Sequence, residues 1–309
     1  MLRAAMVDPQ LARPQRGLWG DAARRLRRNR PAMVGLFCIV LFAAAAILAP
    51  LIAPYDPYAM NGSSLDAPSL THLFGTDLLG RDIFSRVLYG AQISLFVGVG
   101  AVAIALVIGG ALGAIAGGFG GRVDGVIMRT TDVFLSIPSI LLAIGIVTAL
   151  GRGMPQLTLA IAVSYAPTFA RLLRGSLLAL READYVVAAR TIGASRMRIL
   201  GRHMLPNALT PLIVQATLVL ATAIIDIAGL GFLGLGPVDP RTPEWGTMLV
   251  DARRFMQTAP HIVIFIGGAI GRCSNCSMRL VAERRRFRDS KCATRISTKL
   301  FACAAARAT

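Results

Sequence analysis

Residues 182–207 read EADYVVAARTIGASRMRILGRHMLPN, a charged, amphipathic island between two long runs that carry almost no charge. Ala183 to Ile192 can form one short helix. Gly193 interrupts it, since glycine admits backbone angles that strain other residues, and Ser195 then offers the hydroxyl expected of a helix N-cap. Met197, Leu200, Met204 and Leu205 form an apolar stripe at helical spacing, set against Arg196, Arg198 and Arg202. Pro206 disfavours a helical conformation at Leu205, so a second helix is expected to stop there. The stretch is therefore expected to fold as two short helices about a glycine turn, lying at a membrane face.

Composition places the rest of the chain in a bilayer. Of the 309 residues, 55% are apolar and only 16% charged, which favours one polytopic membrane domain over two soluble ones. The formal net charge of +17 would suit nucleic acid, but the arginines sit mainly between apolar runs and no aromatic-rich basic module accompanies them. Basic loops of that kind face the cytoplasm and its anionic lipid, so a lipid partner is expected and nucleic acid is not.

An all-α integral membrane fold follows. Residues 1–30 are a basic cytoplasmic N-terminus, and 31–270 a transmembrane domain with spans at about 32–53, 91–116, 126–150, 157–178 and 208–231. The first is read as a retained span, with Cys38 as an inert packing residue. Pro138 is expected to kink the third span and Pro167 to interrupt the fourth. Tyr55 to Tyr89 should lie outside, where Asp77 and Asp82 favour helix starts or face a partner. Asp132 is expected to pair with Arg129 at i, i+3. Asp226, the one charge of the fifth span, either faces a pathway or is solvated. Trp245 is expected as an interfacial anchor in a polar outer loop from Pro237 to Thr258.

Three stretches resemble one family. YVVAARTIGAS followed by RHMLPN is similar to the cytoplasmic loop of permease subunits in binding-protein-dependent ABC importers. Where that family carries Glu-Ala-Ala, three residues, then Gly, the frame falls on Val187, Ala188, Ala189 and Gly193, so valine replaces the glutamate. HLFGTDLLGRDIFSRVLYGAQISL resembles a signature of the peptide/nickel subgroup, with Gln92 where that subgroup usually has arginine, and GLGFLGLG resembles it again. The resemblance implies the ABC-importer permease fold in a bacterial cytoplasmic (inner) membrane, N-terminus inside. It implies import of di/oligopeptides or a related solute such as nickel, with a homologous permease, two ATP-binding subunits and an extracytoplasmic solute-binding protein as partners. The ATPases would grip Ala188, Ala189, Arg190, Gly193, Ala194, Ser195, Arg198 and the segment closed by Pro206. An ion-coupled secondary transporter is the rival reading, and would require discontinuous helices and buried charges at midplane, for which only Asp226 qualifies.

No GxxxxGK[ST] loop occurs, no lysine precedes Lys291, and the histidines at 72, 203 and 261 are scattered, so no catalysis and no cofactor are expected of this chain. The end breaks the pattern. Only Ile262–Ile270 is continuously apolar where a sixth span (partial, 259–270) should run, and the family's Gly-Asp-Gly motif is absent. Residues 271–309 hold both lysines, four of the five cysteines and no proline. Cys273, Cys276, Cys292 and Cys303 could supply four ligands, but nothing in the segment supplies ordered support for zinc, and no metal site is expected. This basic tail is read as the product of a reading-frame change near Ile270. Sequencing the coding DNA checks it: a one- or two-base shift should restore an apolar segment, and its failure to do so rejects the reading.

Overall fold

The computed structural model describes residue 37, residues 40–41 and residues 43–272. Among them the chain is helical, with only isolated bridges at Met60–Arg81 and Thr76–Asp82. Residues 43–47 and α1 (Ala49–Ile52) lead into the long loop 53–82. Then follow α2 (Ile83–Phe119), α3 (Gly121–Ser136), α4 (Ser139–Leu150), α5 (Met154–Arg181), α6 (Asp184–Thr191), α7 (Arg196–Ile199), a π-helical turn Leu200–Met204, α8 (Leu205–Phe232), α9 (Trp245–Arg253) and α10 (Pro260–Arg272).

Among the described residues two stretches, Ile83–Phe119 and Arg196–Phe232, are long and apolar enough to cross a membrane, and α3 with α4 adds a third if that pair counts as one. Each long helix has 37 residues, well beyond the roughly 20 that a bilayer requires. The expected second span thus begins earlier, at Ile83, because Asp82 caps the helix there by accepting from the Ser85 amide at 2.8 Å. The expected third span is no kinked rod: α3 and α4 are bent by 93°. Ile137 and Pro138 are both extended, since proline pushes its predecessor out of the helical region. Pro167, by contrast, lies within a continuous α5. Pro206 does not stop a helix either. The π turn re-spaces the backbone bonds just before it, and the prolyl nitrogen sits in the first turn of α8, where no donor is required.

The α2–α5 contact dominates the packing and is built on small residues. A Cβ at Gly109 would collide with the carbonyl of Ala166, and one at Gly113 would lie 2.6 Å from that of Ala170. Gly117, one turn on, meets Leu177 at 2.9 Å. Glycines at this spacing let two helices approach where no hydrophobic force drives them together. Around the seam a core joins Val97 and Ala101 of α2, Val147 of α4, Ile161 and Phe169 of α5, and Ala223 and Ile227 of α8.

A second cluster closes the end remote from α6. Trp245 is not an interfacial anchor: it is 0% exposed, and its indole N–H donates to the Val87 carbonyl at 3.1 Å. Glycine at position 90 makes room for its ring. The stretch expected as a polar loop thus holds a docked helix, capped by Glu244, which accepts from the Gly246 and Thr247 amides at 2.8 Å. Burial pushes that carboxyl above its usual range, while the two amides and the Thr247 hydroxyl oppose the shift. Buried Arg86 donates to the carbonyls of Pro57 and Arg241, tying loop 53–82 to the approach of α9. Asp77 starts no helix; it accepts from the amides of Leu79 and Arg81 and from the Arg81 guanidinium.

Gly109→Ala should destabilise the α2–α5 seam by about 1–3 kcal/mol. Gly110→Ala, with nothing within 4 Å of the added carbon, should be neutral or stabilising. Thermal unfolding of the two purified variants in one detergent measures the difference.

Candidate functional site: the platform between α5 and α8

The platform is held by apolar contacts on its inner side. Val186 and Ala189 of α6, Ile199 of α7 and Met204 pack with Leu173 and Leu177 of α5 and with Ala208 and Leu212 of α8. The expected stripe is partly displaced, since Met197 is 63% exposed and Ile199 occupies the buried position. Gly193 makes the turn with φ +78°, a left-handed angle that favours glycine. Ser195 stands at the N-cap with extended angles, but its hydroxyl makes no capping bond.

Polar bonds fix the platform to α2. The last carbonyls of that helix lack intrahelical partners. The Arg181 guanidinium donates to the carbonyls of Gly117 and Gly118, and Arg196 donates to that of Phe119 at 2.7 Å. Positive charge is also favoured at a helix C-terminus. Leu200 presses on Gly118, where a Cβ would lie 2.7 Å from its Cδ2. A cleft of about 490 Å³ remains between these parts, lined among others by Arg181, Glu182, Arg190, Ala194 and Arg196. On the other flank Asn207 donates to the His203 carbonyl at 2.6 Å and to the Tyr185 hydroxyl at 3.3 Å, joining α8 to α6.

The residues singled out from the sequence therefore divide into two sets. Ala189 is buried at 8% and Ala194 half-buried, so both serve the attachment. Ala188, Arg190, Gly193, Ser195, Arg198 and Pro206 are exposed. Beside them Val187, Met197 and above all Ile192, at 85%, present apolar side chains outward. Sequence reading missed Arg181, Val186 and Ile199 as anchors. The i, i+3 spacing of Val186 and Ala189 could have revealed one face, but no local signal shows that Arg181 reaches α2.

Both singled-out aspartates lie away from the platform's outer surface. Asp132 does not pair with Arg129: it accepts from Arg171 of α5, because α3 folds back across that helix. Asp124 reinforces the crossing through a two-pronged pair with Arg174, at 2.8 and 2.6 Å. Asp226, half-buried on α8, accepts from the Tyr165 hydroxyl at 2.7 Å. Cys38 and the four cysteines of the tail lie outside the described residues. No cluster of three or more histidine, cysteine or carboxylate side chains able to hold a metal occurs among the described residues.

Known proteins match this chain along most of its length. The family described as binding-protein-dependent transport system inner membrane component matches residues 109–286, continuing past the composition change at Ile270. The N-terminal TM domain of oligopeptide transport permease C matches residues 17–69. The dipeptide transport system permease protein DppC of Alkalihalophilus pseudofirmus is 48% identical over 253 residues, 82% of this chain and 83% of its own. The glutathione transport system permease protein GsiD of Escherichia coli is 46% identical over 272 residues, 87% and 89% of the two chains. Among solved structures, a chain of the inward-facing MetNI methionine ABC transporter superposes with a TM-score of 0.50 at 20% identity. That likeness covers 64% of this chain and 95% of the other, and concerns the fold alone.

Ala189→Asp should destabilise the platform by about 3 kcal/mol or more, because it places an unpaired carboxylate in the apolar cluster. Ala188→Asp, on the exposed side, should leave unfolding unchanged. Thermal unfolding of both variants, followed by tryptophan fluorescence and by proteolysis near Gly193, checks the contrast.

Proposed function

This chain belongs to the family of binding-protein-dependent transport system inner membrane components, and we propose from that premise how it works within an ABC importer. It is a multi-pass inner-membrane permease and not itself a catalyst. In our reading it forms the pathway with a second, homologous permease and takes di- or oligopeptides, or a related small solute, from an extracytoplasmic solute-binding protein. The dipeptide and glutathione permeases among its relatives support the peptide class. Spans near 32–53 and 157–178 join the two long helices and the bent pair to complete the crossings. The N-terminus lies in the cytoplasm, as its arginine cluster favours.

Coupling runs through the platform. ATP is hydrolysed on two separate subunits, which contact Ala188, Arg190, Gly193, Ser195 and Arg198 together with the outward Ile192 and Met197. The observation that carries this reading is the division of the platform into a clamped inner face and an outer face mixing apolar and cationic groups. Exposed apolar side chains rimmed by charge suit a protein partner. Anchored to α5 and α8 by packing and to α2 by Arg196, with Arg181 tying α5 to the same end of α2, the platform moves as one piece with three helices. A push on it therefore reaches the pathway without being dissipated in a flexible loop.

The secondary-transporter reading has the broken α3–α4 pair and half-buried Asp226 in its favour. Family membership and the clamped platform favour the ATPase-driven reading over it.

Ala188→Asp and Gly193→Pro should each reduce co-purification of the ATPase subunits and transport by at least about tenfold, near 1.4 kcal/mol of contact free energy. Both chains should still reach the membrane. Normal co-purification with both variants rejects the coupling role, and impermeant labelling of Ser195→Cys from the outer side rejects the orientation.

A further inference from the structure

Asp226 has a place in the fold that the platform does not explain. Helices α2, α4, α5 and α8 contain no other carboxylate. It lies six residues inside the C-terminal end of α8, about 9 Å along the axis. Among the described residues no cation pairs with it, and its bond is the one from the Tyr165 hydroxyl. Around it stand Thr222, one turn earlier on α8, and Ser139, at the first turn of α4, whose hydroxyls both neighbour that of Tyr165. The break at Ile137 and Pro138 brings the start of α4 here: Ile140 lies 3.5 Å from the Cβ position of Gly229.

All four polar residues, Ser139, Tyr165, Thr222 and Asp226, are only partly buried. Hydrocarbon is a poor neighbour for such a group, and an intramembrane carboxylate without a counter-charge is expensive unless it faces water or a cationic ligand. Gln215, also half-buried, lies on the same face of α8 at i, i+7 to Thr222 and i, i+11 to Asp226. The polar stripe thus continues along the helix rather than ending at one residue.

We propose that this face of α8 lines the aqueous pathway near its outer mouth, with Asp226, held in place by Tyr165, as the counter-charge for the protonated amino group of a passing peptide. This rests on the peptide-permease reading above and adds to it a named contact. Ammonium fits better than a divalent metal, because one carboxylate and a phenol are not a coordination set and no metal-binding cluster occurs among the described residues. The contact need only be weak, since a transported solute must leave as readily as it arrives.

Two measurements on the assembled importer, with the five native cysteines replaced by serine, test the proposal. First, Thr222→Cys is treated with a cationic aminoethyl and an anionic sulfonatoethyl methanethiosulfonate. The cationic reagent should react about tenfold faster after correction for intrinsic rates, and adding Asp226→Asn should bring the ratio close to one. A thiol inert to both reagents, or a ratio unmoved by Asp226→Asn, overturns the proposal while leaving the permease reading intact. Second, Asp226→Asn should lower dipeptide uptake about tenfold, while ATPase stimulation by the loaded binding protein persists. Undiminished uptake rejects the subsite. An unmutated complex that transports no peptide rejects the substrate class instead, and the thiol ratio still decides whether the face is aqueous and electronegative.

Discussion

The carbonyls at the C-terminal end of α2 need donors, and two guanidiniums supply them, one from the end of α5 and one from the platform. An α-helix leaves its last carbonyls unpaired, and here Gly117, Gly118 and Phe119 accept from Arg181, the last residue of α5, and Arg196, the first of α7. The same bonds satisfy the end of a 37-residue apolar helix and fix the orientation of the segment beside it. Glycine at 118 then admits Leu200, so packing and hydrogen bonding act at one place. Removing this junction would free the platform from α2 and leave only its contacts with α5 and α8.

The close approach of α2 and α5 follows a related logic. Glycines at 109, 113 and 117 bring backbone to backbone, and the arginines at 171 and 174 extend from α5 to reach Asp132 and Asp124. Those two pairs hold α3 across α5, and at Ile137 and Pro138 the chain then turns by 93° into α4. The bend in turn carries Ser139 to Tyr165 and Asp226. The break at Pro138 thus separates the charged crossing of α3 over α5 from the polar group around Asp226.

The prolines also show where local rules give way. Proline disfavours helix at the residue before it, and at Pro138 that preference prevails. At Pro167 and Pro206 it does not, because α5 is packed along its length and the π turn re-spaces the bonds ahead of α8. Trp245 is a similar case. Its composition suits an interface, yet Gly90 leaves a hole in α2 that the indole fills.

Residues 182–207 announced a short helix, a turn at Gly193 and a second helix after it, though not that this second helix runs on to Phe232, and the long uncharged runs announced the membrane class, because helical periodicity, glycine's backbone freedom and hydropathy are all local properties. Three motifs along the chain likewise pointed to the permease family. Tertiary structure decided which residues face which way: that Ala189 is buried and Ala188 is not, that Asp132 meets Arg171 rather than Arg129, and that Asp226 meets Tyr165. The two aspartate contacts join residues 39 and 61 positions apart, and Ala189 is buried by α5 and α8. No window of sequence contains them, since the direction of a side chain is fixed only when the helices opposite are in place.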